Sequence, residues 1–241
     1  MRVALVCIAK NEDPYIQEWV DYHLKLGFDN IFIYMNDWRT ELEHPQVIKI
    51  EFDGGPLQRE SYSHWLNHYK NDYDWCAFFD VDEFLVLKKH KTVHDFVSEY
   101  TNYAGIGINW YMFGNNGHTE IIDGEYSQIK RFTKRGSQMN EHVKTIFNCK
   151  TKYGMDVHNP YNAKISSPNR ITFQGPFNRN TNDEIAQLNH YYCKTKEEYL
   201  KKCERGRADT PLYKNKYEIN YPPYNQNDVE DMWAYNFIYG K

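Results

Sequence analysis

The feature that most constrains this chain is the rhythm of its first eighty residues, where short apolar runs alternate with segments of helical period. Arg2 to Ala9 is almost continuously apolar, as expected for a strand buried on both faces. Asp13-Pro14 then predicts a helix start, with Asp13 as the N-cap and Pro14 at the first helical position. Ile16, Trp19, Val20, His23, Leu24 and Leu26 recur at helical spacing until Gly27 stops the helix. Further strands are expected at Asn30 to Met35, Val47 to Phe52 and Trp75 to Phe79, with an amphipathic helix over Leu57 to Tyr69. Such alternation implies a parallel sheet with right-handed crossovers, and these sheets bind ligands at the carboxyl ends of their strands. The four strand ends carry Lys10-Asn11-Glu12, Asn36-Asp37, Asp53 and Asp80-Val81-Asp82.

From about Thr101 the pattern changes to shorter strands and turns. Strands are expected at Gly105 to Trp110, Glu125 to Phe132, Val143 to Phe147 and near Ile185 to Tyr192, with a turn at Gly114-Asn115-Asn116-Gly117 and a helix over Lys196 to Arg205 ended by Gly206. Beyond Arg207 the pattern turns irregular, with Tyr221-Pro222-Pro223-Tyr224 and an acidic stretch from Asp228 to Asp231. The expectation is one domain over residues 1–206, followed by a tail over 207–241 that either packs on the core or leads into another domain. A chain of 241 residues suits that arrangement.

A net charge of −4 and an isoelectric point near 6.2 supply no basic field that would draw the protein to nucleic acid or an anionic membrane. The five cysteines are scattered and form no Cys-x-x-Cys pair, which speaks against a zinc or dithiol site and fits a reducing compartment. Val3 to Ala9 is shorter than a membrane span or a signal-peptide core. A soluble, cytoplasmic protein is therefore expected. Aromatic residues make up 17% of the chain although its mean hydropathy is −0.83; an aromatic-lined, hydrated cleft and a Tyr-, Asn- and Lys-rich coding bias explain this equally well.

Two Asp-x-Asp pairs occur, where roughly one is expected by chance. Asp72-Tyr73-Asp74 lies in the polar approach to a strand and reads as a turn. Asp80-Val81-Asp82 follows the apolar run Trp75-Cys76-Ala77-Phe78-Phe79, at the edge where a parallel sheet holds ligands. Carboxylates at i and i+2 on extended backbone point the same way, so Asp80 and Asp82 can converge on one divalent cation.

The stretch Trp75 to Phe84 resembles the metal-binding segment of glycosyltransferases with the GT-A fold, in particular glycosyltransferase family 92. Three other blocks are similar in order: Cys7 to Glu12 with Glu18 to Gly27, Trp110 to His118, and Asn189-His190-Tyr191-Tyr192 followed by Lys194, Glu197, Glu198, Tyr199, Lys202, Arg205 and Gly206. The likeness spans roughly residues 1–206. It implies an α/β GT-A (Rossmann-like) fold, mostly parallel and flanked by helices, with a nucleotide-binding half over 1–100 and a smaller acceptor-side β region over 101–206. It also implies a nucleotide-sugar donor, usually a UDP-sugar, a glycan or other hydroxyl acceptor, a Mn²⁺ or Mg²⁺ ion, and inversion at the anomeric carbon. On that reading Asp82 ligates the metal, Asp80 contacts the metal or the ribose, and His190, or alternatively His158, supplies a further ligand.

Ala9, Lys10, Asn11, Glu12, Asn36 and Asp37 stand where base and ribose would be received, and Arg59 can offer its fork of donors to a diphosphate, with a solvated helix-face arginine as the equal alternative. Trp110, Phe113 and His118 form the expected acceptor platform, with plain core packing of Trp110 and Phe113 as the rival. An inverting transfer needs one general base; Glu141, Asp156 and Asp183 are the candidates. Three other functions compete: a nucleotide-sugar-binding module without transferase activity, a nucleotidyltransferase and a glycoside hydrolase. The loop Lys10-Asn11-Glu12-Asp13 lacks the glycine-rich phosphate cradle of the second, and the close spacing of Asp80 and Asp82 suits a shared ion better than the flanking carboxylates of the third.

Overall fold

The computed structural model describes residues 1–122, 124–206 and 217–240. Its elements follow in the order β1 (Val3–Ala9), α1 (Asp13–Lys25), β2 (Asn30–Met35), β3 (Val47–Glu51), α2 (Gln58–His68), β4 (Trp75–Phe78), β5 (Glu83–Leu87), α3 (Val93–Ser98) and β6 (Gly105–Met112). They continue with α4 (Gln128–Arg131), β7 (Lys134–Arg135), β8 (Val143–Asn148), β9 (Lys164–Ser166), β10 (Thr172–Gln174), β11 (Ala186–His190), α5 (Lys196–Arg205), α6 (Tyr217–Tyr224), β12 (Val229–Glu230) and α7 (Trp233–Tyr239).

A ten-stranded sheet carries the order β10-β9-β6-β8-β4-β1-β2-β3, with β11 against β6 and β5 beyond it. The first half is parallel, since β1 pairs in parallel with both β2 and β4, and β2 with β3. β8 then runs antiparallel to β4 and β6, which makes the second half mixed. Helices cover both faces, and β1 shows why its sequence is continuously apolar. Val3, Leu5, Cys7 and Ala9 enter one core cluster, while Ala4, Val6 and Ile8 enter the other. Alternate residues of a strand point to opposite faces, so burial on both removes any polar alternation.

Three local expectations are corrected. Asp13 is the first residue of α1; the N-cap is Glu12, which makes no side-chain cap bond, and the Asp13 carboxylate instead accepts a hydrogen bond from Trp38 Nε1 at 2.6 Å. The strand expected over Glu125 to Phe132 is the short helix α4. Glu18 on α1 accepts hydrogen bonds from Ser127 Oγ and, at 2.7 Å, from the Gln128 amide, so a distant carboxylate satisfies the free amides of a helix start. Of the tail, residues 217–240 are ordered into α6, β12 and α7 rather than irregular, whereas 207–216 lie outside the described residues. β12 pairs with β7, and Lys25 Nζ donates to the Phe237 carbonyl at the end of α7 at 2.7 Å.

All five cysteines are free thiols, and four of them are buried. Among the described residues no helix is long and apolar enough to cross a membrane.

Candidate donor and metal site

The parallel strands bring the expected donor-side residues onto one rim. The Asn36 amide donates to the Ala9 carbonyl at 2.9 Å, which ties the ends of β1 and β2 together. Asn11 and Asp37 both take positive φ, 55° and 47°, a conformation that Asn and Asp tolerate better than most residues. Lys10 Nζ stands 3.0 Å from Asp37 Oδ2, and the Gly54 amide donates to Asp37 Oδ1 at 3.0 Å. Glu12 is buried and accepts a hydrogen bond from Arg205 on α5, which also donates to the Lys10 carbonyl at 2.7 Å. Arg59 stands apart from this rim, exposed, with its Nε 2.6 Å from the carboxylate of Asp156.

Asp80 stands two residues past the end of β4. Its Oδ1 accepts from Gln58 Nε2 at 2.9 Å and its Oδ2 from Lys144 Nζ at 2.9 Å. Lys144 lies on β8, is fully buried, and also reaches within 3.5 Å of Glu83 Oε2. Asp82 holds a second ammonium, Lys202 Nζ, 2.6 Å from its Oδ2. Burial acts to raise both aspartates, but the Lys144 ammonium outweighs it at Asp80, and Lys202 with His190 holds Asp82 far below the usual carboxylate range. Two ionised carboxylates therefore stand at the strand end, each matched by a lysine from a different element. The decoy pair behaves as its context predicted: Asp72 closes a short 3₁₀ turn, and Asp74 caps the Arg2 amide at 2.8 Å and pairs with Lys150.

His190 ends β11, opposite Glu83 on β5 and Met112 on β6. That register puts its Nε2 3.4 Å from Asp82 Oδ1 and its Nδ1 4.0 Å from Glu83 Oε1. Burial depresses its basicity more than Asp82 restores it, so the ring is available as a neutral ligand. Among the described residues, buried His190 Nδ1, Glu83 Oε1 and Trp110 Nε1 have no hydrogen-bond partner. Trp110 packs against His190 at 4.5 Å between ring centroids, stacks on His142 at 5.1 Å, and meets His158 at 5.5 Å. His158 is thus one ring removed from Asp82, and its Nδ1 is directed at the Val143 carbonyl at 3.0 Å. Burial takes it down to about 4. Phe113 is enclosed against Tyr191 and offers no open ring face. His118 follows the Asn115 turn, with its ring 6.4 Å from Phe132.

Two carboxylates and a neutral imidazole are the donor types that Mn²⁺ or Mg²⁺ takes. In this structure the carboxylates are closed onto lysines, and no group of three or more His, Cys, Asp or Glu side chains among the described residues forms a ready-made centre. The chemistry of the donor set fits a divalent cation, provided Lys202 moves off Asp82.

The three general-base candidates are engaged elsewhere. Glu141 lies 3.4 Å from Arg179 and Asp183 lies 2.7 Å from Lys88. Asp156 pairs with Arg59 and, with His158, lines a surface cleft of about 350 Å³. The site also recruits residues to which periodicity assigned nothing: Gln58, Glu83, Lys144, Lys194, Lys202 and Arg205. Lys194, Lys202 and Arg205 fall within the last similar block, which was the available signal. Gln58 and Lys144 carried none, since neither sits in a recognisable spacing with Asp80.

Residues 57–229 match glycosyltransferase family 92, so the match begins after β3 and extends past residue 206 into the ordered tail. A family 92 protein of Arabidopsis thaliana is 28% identical over 131 residues, 46% of this chain and 23% of that protein. One of Ricinus communis is 27% identical over 129 residues, 45% of this chain and 22% of its own length. This chain therefore spans under a quarter of the length of those relatives. Among solved structures, TarS of S. aureus is similar over 51% of this chain and 23% of its own, at 16% identity and a TM-score of 0.31, too distant to carry a functional argument. The family match covers most of the chain and includes both Asp80-Val81-Asp82 and the His190 block: the protein belongs to glycosyltransferase family 92.

Proposed function

We propose that the protein transfers a sugar from a nucleotide-sugar donor, a UDP-sugar in the first instance, to a hydroxyl of a glycan or other acceptor, with inversion at the anomeric carbon. The observation that carries this reading is the convergence of Asp80, Asp82 and His190 at the carboxyl end of the parallel strands, with Asp82 and His190 3.4 Å apart. Asp80, Asp82 and His190 hold Mn²⁺ or Mg²⁺ on this reading, and the bound cation offsets the charge that the departing diphosphate acquires.

In the reaction the acceptor oxygen forms a new bond to the anomeric carbon while the bond from that carbon to the phosphate oxygen breaks. The electron pair stays with the diphosphate, and the acceptor's proton passes to a general base. The rim formed by Ala9 to Glu12 with Asn36 and Asp37 receives base and ribose. Asp156 is the base to test first among the three carboxylates, because it shares a cleft with His158, which packs on Trp110. A panel of nucleotide sugars, screened for Mn²⁺-dependent binding and for release of free nucleotide, tests the assignment. Donor-dependent release supports it, binding without release indicates a recognition module, and no binding by any donor removes it.

A further inference from the structure

Lys194 occupies an unusual position for a lysine. It lies in the turn between β11 and α5, takes a positive φ of 50°, and is 94% buried, with 6% of its surface exposed. Its ammonium makes no hydrogen bond or ion pair among the described residues and stands over the face of Tyr15, 3.9 Å from the ring centroid. A buried ammonium without a counter-ion is costly, and a non-glycine residue in the left-handed region adds strain of the kind that collects at functional sites.

The surrounding charges sharpen the point. Lys202 is matched by Asp82 at 2.6 Å, Arg205 by Glu12, and Arg131 by Glu198 through two bonds of 2.8 Å. Each of these three cations has its anion, whereas Lys194 has none among the described residues. Lys194 follows His190 by four residues and rests on Tyr15, three residues beyond Glu12, which sets it between the base-and-ribose rim and the Asp80-Asp82 pair. That is the span a diphosphate has to bridge.

We propose that Lys194, together with Lys202, seats the diphosphate of a nucleoside-diphosphate ligand, with Lys194 supplying a pre-positioned ammonium whose counter-ion is the ligand itself. The proposal rests on the glycosyltransferase reading and adds a second anchor for the diphosphate beside the metal. It also reassigns the contact expected of Arg59, whose Nε lies against Asp156. When a diphosphate arrives, Lys202 exchanges Asp82 for a phosphate oxygen and leaves Asp82 free for the divalent cation.

The test compares the wild-type protein with Lys194→Met and Lys194→Arg, titrating inorganic pyrophosphate, UDP and GDP with and without Mn²⁺ by calorimetry and recording the thermal midpoint of each protein alone. Lys194→Met is expected to weaken pyrophosphate and the bound nucleotide by about 10- to 100-fold, the scale of one charge-assisted hydrogen bond. Its unliganded thermal midpoint should hold or rise, because a buried unpaired charge has been replaced by an apolar chain of similar length. Lys194→Arg should restore part of the affinity. Unchanged affinity in Lys194→Met overturns this inference and leaves the donor reading standing. A thermal midpoint lowered by several degrees together with lost binding overturns it in favour of a structural role. Binding of none of the three ligands by the wild type removes the donor reading itself, and this inference with it.

Discussion

Lys202 Nζ sits 2.6 Å from Asp82 Oδ2, joining two residues 120 positions apart in the chain. The pair fixes α5 over the turn between β4 and β5 and keeps the central carboxylate of the site engaged. It has consequences of opposite sign for two ligands. Lys202→Met should tighten the binding of Mn²⁺ alone by several-fold, read by the loss of free Mn²⁺ signal in electron paramagnetic resonance, because the competing ammonium is gone. The same variant should weaken UDP, because an ammonium that would meet the diphosphate is gone too. Parallel losses for both ligands would show that Lys202 only supports the fold.

Lys144 is the structural keystone of the carboxylate group. It is fully buried on β8 and lies 2.9 Å from Asp80 and 3.5 Å from Glu83. Lys144→Met should destabilise the protein by about 1–3 kcal/mol, because the Asp80 side chain, 36% exposed, loses its charge partner while burial already pushes the Glu83 carboxyl well up, as measured by urea unfolding. A loss below about 1 kcal/mol would mean that water reaches these carboxylates freely.

His23 ties stability to pH. It is fully buried among Trp19, Phe28 and Phe84. Its Nδ1 meets the Trp19 carbonyl at 2.8 Å, and its Nε2 faces the Leu85 amide at 3.4 Å. Since that amide can only donate, Nε2 has to be unprotonated. Burial takes the ring down to about 3. The unfolded chain therefore binds a proton that the folded one refuses, and stability falls as pH drops from about 6.5 towards about 3. Between about pH 7 and about pH 4.5 the wild type should lose about 2 kcal/mol more than His23→Gln. Equal losses in urea unfolding would place the acid sensitivity elsewhere.

The parallel half was legible because its rule is local. Continuous apolar runs and helical spacing mark β1, α1, β2, α2 and β4 to within a residue or so at each end, and a sheet of that kind has one ligand edge. β5 was hidden because Asp80-Val81-Asp82 leads straight into Glu83-Phe84-Leu85-Val86-Leu87 with no glycine or proline to announce a new strand. Residues 125–132 were misread for the opposite reason: the local preference is weak, and Glu18, 110 positions away from Gln128, decides the outcome. In the site, Asp80 and Asp82 stood out through their position at a strand end. Lys144 did not, since a lysine in a strand reads as solvated unless its buried partner is known, and that partner lies 64 residues away. That Lys194 has no counter-ion among the described residues is a property of its neighbours and leaves no trace in its own segment.

On the proposed reading Asp80 and Asp82 hold a nucleotide-sugar donor through a divalent cation. The most direct test is calorimetric binding of UDP to the wild type and to Asp82→Ala, with Mn²⁺ present and with it removed by chelation. Binding should require Mn²⁺ in the wild type and be lost in Asp82→Ala, while the variant remains folded by circular dichroism. UDP binding that survives both chelation and the Asp82→Ala substitution would contradict it.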